Sequence, residues 1–214
     1  MSRTLYCGNR NYSSWSMRGS LLLRQSGLDC AEVVLPLDTE EGMAKIAEVS
    51  PSRRVPVLHF NGLVIWDTLA IAELLNELAP AAGLWPKEGP ARAVARSVSA
   101  EMHSGFGELR SRMPLDVRGS HPVPMDDELR EDIERIQAIW SYCRATYGRG
   151  GDYLFGDWCA ADAMFTPVVS RFRTYGVALP PTLSKYSEAV WHWPALASLV
   201  AEAAAEPWTL DLGL

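Results

Sequence analysis

The chain has no CxxC pair, no HExxH or other carboxylate–histidine cluster, and no GxxxxGK[ST], GxGxxG or GxSxG stretch. The first two absences set aside zinc modules and dithiol chemistry. The other three set aside the common phosphate, dinucleotide and serine-hydrolase sites. Four cysteines (Cys7, Cys30, Cys143, Cys159) and four histidines (His59, His103, His121, His192) are scattered along the chain, so no metal site is expected. Unpaired thiols suit a reducing compartment. No apolar run approaches the roughly 18 residues that span a bilayer. Met1-Ser2-Arg3-Thr4-Leu5 enters a strand-like segment with no signal-peptide core. The expected address is the cytoplasm, with no membrane partner. Positive charge is not in excess either: 20 Lys+Arg against 26 Asp+Glu leave a net charge of -6, which argues against nucleic acid as a partner.

What is present is an ordinary globular composition, with 48% hydrophobic and 21% charged residues among 214. That length suits one large domain or two small ones. Thr4–Cys7 reads as a strand. Ser13-Ser14 supply capping hydroxyls for a helix that carries Met17, Leu21 and Leu22 and stops at Gly27. Ala31–Leu37 is a second strand. Asp38 with Glu41 resembles a capping box, opening a helix that ends before Pro51. Val55–Phe60 and Leu63–Trp66 are strands joined by Asn61-Gly62, a strong hairpin signal. Asp67-Thr68 opens a further helix with Ile71, Leu74, Leu75 and Leu78. The order βαβ-α-ββα describes a small α/β layer.

Beyond a Pro/Gly-rich connector, only helical periodicity remains, clearest in Leu129, Ile133, Ile136, Trp140, Cys143 and Tyr147. Further helices are expected over Ala91–Arg112, Asp162–Tyr175, Tyr186–Trp193 and Ala195–Ala205. The expected division is an α/β domain at 1–80, a linker at 81–90 and an all-α domain at 91–214.

This order resembles the cytosolic glutathione transferases, and local motifs sharpen the likeness. Asn11-Tyr12-Ser13-Ser14-Trp15-Ser16-Met17-Arg18 looks like the SSxSxR element of the serine-type, zeta-like branch. Ser50-Pro51-Ser52-Arg53-Arg54-Val55-Pro56-Val57-Leu58 is similar to the family's NPxxxVPxL segment, in which the proline after valine is cis. Asp67-Thr68-Leu69-Ala70-Ile71 stands where the family has an acidic or amide residue and Ser-x-Ala-Ile. Gly156-Asp157-Trp158-Cys159-Ala160-Ala161-Asp162 resembles the helical-domain motif ending in Ala-Asp. Ser50 replaces the usual Asn, Cys159 the usual Ser or Thr cap, and Trp15 a cysteine of the zeta isomerases. The likeness implies a thioredoxin-like N-terminal domain followed by an all-helical C-terminal domain, the glutathione transferase fold.

The chemistry the resemblance implies is activation of a thiol. Free thiols have a pKa of about 8.5, so a glutathione enzyme must favour the thiolate. A hydroxyl beside a helix N-terminus supplies a hydrogen bond and a positive field. Ser13 aligns with the branch's catalytic serine and Ser14 with its auxiliary one, while Ser16 falls inside the first helical turn. Taken from the residues alone, both serines also read as ordinary caps. Val55, shaped by Pro56, would pair its backbone with the glutathione cysteinyl unit as an added strand. Arg54 would reach the glycyl carboxylate, or form with Arg53 a solvated pair. Thr68 and the helix-start amides suit the γ-glutamyl carboxylate and Asp67 its ammonium, although Asp67 also reads as an N-cap.

Weaker candidates are Cys7, which reads as a buried structural thiol, and Glu101 and His103 on the first helix after the connector. The expected function is a glutathione transferase whose co-substrate thiolate attacks a small hydrophobic electrophile lodged between the domains. The alternatives are a zeta-like cis-trans isomerase and a non-catalytic glutathione-binding or protein-interaction member of the fold. The resemblance implies a homodimer, with the first helices of the helical domains near its axis and Met102, Phe106 and Met113 supplying contact area.

Overall fold

A computed structural model describes residues 3–213. Their contacts separate into two units, residues 3–84 with 198–213, and residues 85–197.

In the first unit, β1 (Arg3–Cys7) and β2 (Ala31–Val34) are parallel, so the chain must cross over between them, and α1 (Ser14–Ser26) is that crossover. β3 (Val57–Phe60) lies antiparallel to β1, and β4 (Leu63–Trp66) antiparallel to β3, giving the order β2-β1-β3-β4. Asn61 (φ 52°) and Gly62 (φ 92°) both take the positive φ of a tight hairpin turn. α2 (Glu40–Val49) and α3 (Thr68–Leu78) complete the layer. α1 packs on α3 and β1, burying Leu5, Leu21, Leu22, Ile71 and Leu75 completely. Leu35, Ile46, Val49 and Val57 form a second apolar cluster, with Tyr6, Leu37 and Val55 at its rim.

Three sequence expectations shift here. β2 stops at Val34 rather than Leu37, since Pro36 has no N–H to extend the ladder. β3 starts at Val57 rather than Val55 for the same reason, Pro56 standing before it. The cap of α2 is Thr39, whose hydroxyl accepts the Gly42 N–H at 3.0 Å, and not Asp38.

The second unit holds α4 (Gly89–Ser104), α5 (Gly107–Arg112), α6 (Asp127–Tyr147), α7 (Ala160–Thr174) and α8 (Pro181–Trp191). The expected single helix Ala91–Arg112 is two. Phe106 sits at φ 63°, in the left-handed region that a helix interior excludes, and breaks it after the Gly105 cap. Trp140 is central, edge-on to Phe165 at 6.0 Å and to Tyr186 at 4.9 Å. Cys159 is the N-cap of α7, and Asp162 at the third helical position closes a capping box with it: the Asp162 carboxylate accepts Cys159 N–H at 2.9 Å and also Leu154 N–H at 3.1 Å. Burial pushes the Asp162 carboxyl up to about 6, against the lowering effect of those two donors. Met102, Phe106 and Met113 are buried within the chain itself, so they do not offer the intersubunit surface expected of them.

The division between units falls inside α9 (Pro194–Ala205). The segment from 198 onward, placed with the helices on sequence, groups with the sheet, where Glu202 pairs with Arg10 and Arg24. Among the described residues, no helix is long and apolar enough to cross a membrane.

Candidate active site

Strand register decides what lies together. Tyr6 is opposite Val57, and Val57 is opposite Trp66. The exit of β1, the entrance of β3 and the exit of β4 therefore share one end of the sheet, about 10 Å across at roughly 4.8 Å per strand. The Ser13 turn, the Arg54-Val55-Pro56 segment and the Asp67-Thr68 helix start all leave from that end. In open α/β sheets this is where ligands bind. Residues spread over more than fifty positions of sequence meet because two strand pairings are in register.

Ser13 is the N-cap of α1. Its Oγ accepts the Ser16 N–H at 3.2 Å and donates to Ser16 Oγ at 2.8 Å. Ser16 Oγ also accepts the Gly8 N–H at 2.8 Å, tying the helix start to the end of β1. The turn before Ser13 is closed by Tyr12 and Ser13 N–H groups, which donate to Asn9 O at 3.2 and 2.9 Å. Ser13 and Ser14 are both buried, at the positive end of the α1 dipole. Arg18, in the same motif, is buried and stacks its guanidinium over the Trp15 ring at 4.5 Å.

The second segment is fixed by Ser50, the C-cap of α2. Its hydroxyl donates to Arg54 O at 2.7 Å and accepts Arg54 N–H at 3.3 Å, so serine replaces the expected asparagine as a backbone clamp. The Arg54 side chain is exposed. The Val55–Pro56 peptide is cis. Among the described residues, the Val55 N–H and C=O take no hydrogen-bond partner, while its side chain packs on the α2 cluster. Pro56 is buried against Gly19 of α1: a Cβ at Gly19 would lie 2.9 Å from Pro56 Cγ. Glycine in mid-helix costs about 1 kcal/mol relative to alanine. Here it lets the proline segment approach the serine helix.

Asp67 is the N-cap of α3 at φ 74°, and its carboxylate accepts the Leu69 N–H at 2.9 Å. A non-glycine residue at such a φ is strained, a feature that clusters at ligand sites. Thr68 is buried, and its Oγ1 has no hydrogen-bond partner among the described residues. Buried hydroxyls are ordinarily paired, so this one calls for an explanation.

Burial pushes the Cys7 thiol up to about 12, beyond use as a nucleophile at neutral pH. On α4, Glu101 is engaged by Arg135 in a two-point bond at 2.6 and 2.9 Å. Sequence reasoning missed Gly19 and the clamp made by Ser50, and passed over Ser16, whose hydroxyl bonds directly to Ser13. A helical glycine facing a proline carries no local sign; the serine at the third position after the cap does.

Residues 12–78 match the family model described as glutathione S-transferase, N-terminal domain. Over 212 residues, 94% of this chain and 97% of the relative, the sequence is 32% identical to a Vibrio cholerae protein named probable maleylacetoacetate isomerase. Maleylacetoacetate isomerase of Rattus norvegicus is 29% identical over 192 residues, covering 87% of this chain and 86% of its own. Among solved structures, a Burkholderia glutathione transferase homolog with bound glutathione superposes with a TM-score of 0.72 at 27% identity, over 96% of this chain and 99% of that one.

Proposed function

Because the chain belongs to the glutathione S-transferase family, we propose that it is a glutathione-dependent enzyme whose tripeptide co-substrate lies across the shared end of the sheet. Its thiolate attacks an electrophilic carbon, or adds reversibly to a conjugated double bond that then rotates about the single bond so formed. The observation that carries the reading is the Val55 backbone ahead of β3, one N–H and one C=O without a hydrogen-bond partner among the described residues, the complement of an extended cysteinyl unit. Thr68 supports it, since its buried hydroxyl at the start of α3 lacks the acceptor that a γ-glutamyl carboxylate would be. Asp67 suits the adjacent ammonium, and Arg54 the glycyl carboxylate at the far end.

The serines handle the proton. With Ser13 and Ser16 hydroxyls 2.8 Å apart, an anion beside Ser13 reverses the order of donation. Ser16 O–H turns to Ser13 Oγ, Ser13 O–H turns to the sulfur, and Gly8 N–H stays on Ser16 Oγ. Each link polarises the next. Ser14 is the auxiliary group at the first position of α1, and the α1 dipole adds to the field on the sulfur.

Conjugation of a small hydrophobic electrophile and cis-trans isomerisation share this machinery. The relatives named maleylacetoacetate isomerases favour the second for this chain. A homodimer and a cytoplasmic setting belong to the same proposal, resting on the family likeness and on four free cysteines. Sedimentation at micromolar concentration tests the first, a monomer mass overturning it. For the activity, glutathione added near neutral pH should give an ultraviolet thiolate band. Its absence would favour a binding module without catalysis.

A further inference from the structure

We infer that Glu206, 195 and 196 residues along the chain from the two turn residues it touches, positions Ser13 and thereby sets the acidity of the bound thiol without contacting it; this rests on the reading of Ser13 as the thiolate's donor. Glu206 Oε1 accepts the Arg10 N–H at 2.7 Å and Oε2 accepts the Asn11 N–H at 3.2 Å. Two successive backbone N–H groups converging in a turn form an anion-binding nest. Here the anion is a carboxylate of the chain's own terminal segment. Arg10 and Asn11 are buried, so losing Glu206 takes an acceptor from each of two interior N–H groups and removes what holds the turn in place.

That movement reaches Ser13 directly. The same turn closes through Tyr12 and Ser13 N–H on Asn9 O, and its other side is pinned where Asn9 Oδ1 accepts the Leu37 N–H at 2.9 Å. The carboxylate therefore holds the backbone of the turn between Asn9 and Ser13. A separate cluster brings the segment into place: Glu202 takes Arg10 Nε at 2.7 Å and an Arg24 nitrogen at 2.8 Å, and Glu32 takes Arg10 and Arg24 at 2.9 and 2.8 Å. Burial tends to raise both carboxyls, but the two guanidinium groups outweigh it and hold Glu32 and Glu202 below the usual carboxylate range. Glu202 and Glu32 thus neutralise side chains, while Glu206 addresses the backbone that carries Ser13.

The sign of one measurement separates positioning from charge. Removing a negative charge near the site would, through space, lower the pKa of the bound thiol. Loss of positioning would raise it, because the Ser13 hydrogen bond lengthens. The test titrates the ultraviolet thiolate band of bound glutathione against pH in the full chain, for wild type, Glu206→Ala, Glu206→Gln and Ser13→Ala. Glu206→Gln keeps one acceptor oxygen and is the variant that decides if Glu206→Ala fails to fold. The inference expects Glu206→Ala to raise the midpoint by about half to one unit, a loss of roughly three- to tenfold in thiolate at pH below it. Glu206→Gln should raise it less, and Ser13→Ala most. If Ser13→Ala raises the midpoint while both Glu206 variants leave it unchanged or lower it, the inference is overturned and the Ser13 reading stands. If Ser13→Ala leaves it unchanged, that reading falls and takes the inference with it.

Discussion

Replacing Ser13 with alanine should remove two separable things. The first is a helix cap: Ser13 Oγ accepts the Ser16 N–H at 3.2 Å, and losing such a cap costs about 1 kcal/mol of stability. Ser16 Oγ keeps its bond from Gly8 N–H, so the start of α1 stays tied to β1 and the fold should survive. The second is the donor to the sulfur. A hydrogen bond to a charged acceptor contributes about 1.5–3 kcal/mol, which is roughly one to two pKa units on the bound thiol. A thiol near its free value of about 8.5 is only a few per cent ionised at neutral pH. Activity at pH 7 should therefore drop by about tenfold or more and partly return in alkali, a recovery that cap loss alone would not produce. Ser13→Thr keeps both oxygen and proton and should retain most of the activity; Ser14→Ala should do less than Ser13→Ala. The assay is the pH dependence of turnover beside chemical denaturation of each variant. If Ser13→Ala loses the expected stability yet keeps the wild-type pH profile, Ser13 is only a cap. If Ser14→Ala shifts the profile instead, the assignment is wrong by one residue.

Three other outcomes are expected. Thr68→Val removes a buried hydroxyl that has no partner among the described residues, so stability should hold or rise while glutathione affinity falls by about tenfold or more; calorimetry showing unchanged affinity would contradict the γ-glutamyl assignment. Gly19→Ala gains about 1 kcal/mol in helix propensity but pushes a methyl to 2.9 Å from the Pro56 ring, so it should weaken glutathione binding more than it changes the denaturation midpoint. Asp162, raised to about 6 in the folded chain against about 3.9 unfolded, binds its proton more tightly when folded. The stability from that protonation is fully present below about pH 4 and lost as pH rises through about 6. Asp162→Asn, which does not titrate, should flatten this part of the stability curve, and denaturation at pH 4 and pH 6.5 would show whether it does.

The layer order βαβ-α-ββα was legible because its signals are local: Asn61-Gly62 for a two-residue turn, Gly27 at φ 66° to stop α1, Ser13 and Asp67 as caps. The same local chemistry exposed Ser13 and Thr68 as candidates, while Val55 and the roles of all three came from the family likeness. What sequence could not show was set by tertiary contact. The break between α4 and α5 depends on Phe106 adopting a positive φ, which its side chain does not announce. Met102, Phe106 and Met113 looked like surface for a partner, but an apolar residue on a helix does not say which neighbour covers it. Gly19 matters only because Pro56 folds onto it, and Glu206 only because the terminal segment returns to the first turn. Neither pairing leaves a periodicity or spacing to read.

The most direct test of the central claim is a crystal of the chain soaked with glutathione. The account predicts the sulfur within hydrogen-bond reach of Ser13 Oγ, the cysteinyl backbone paired with Val55 N–H and C=O, and the γ-glutamyl carboxylate on Thr68 at the start of α3. A tripeptide bound elsewhere, or one whose sulfur faces away from Ser13 with Val55 still unpaired, would contradict it.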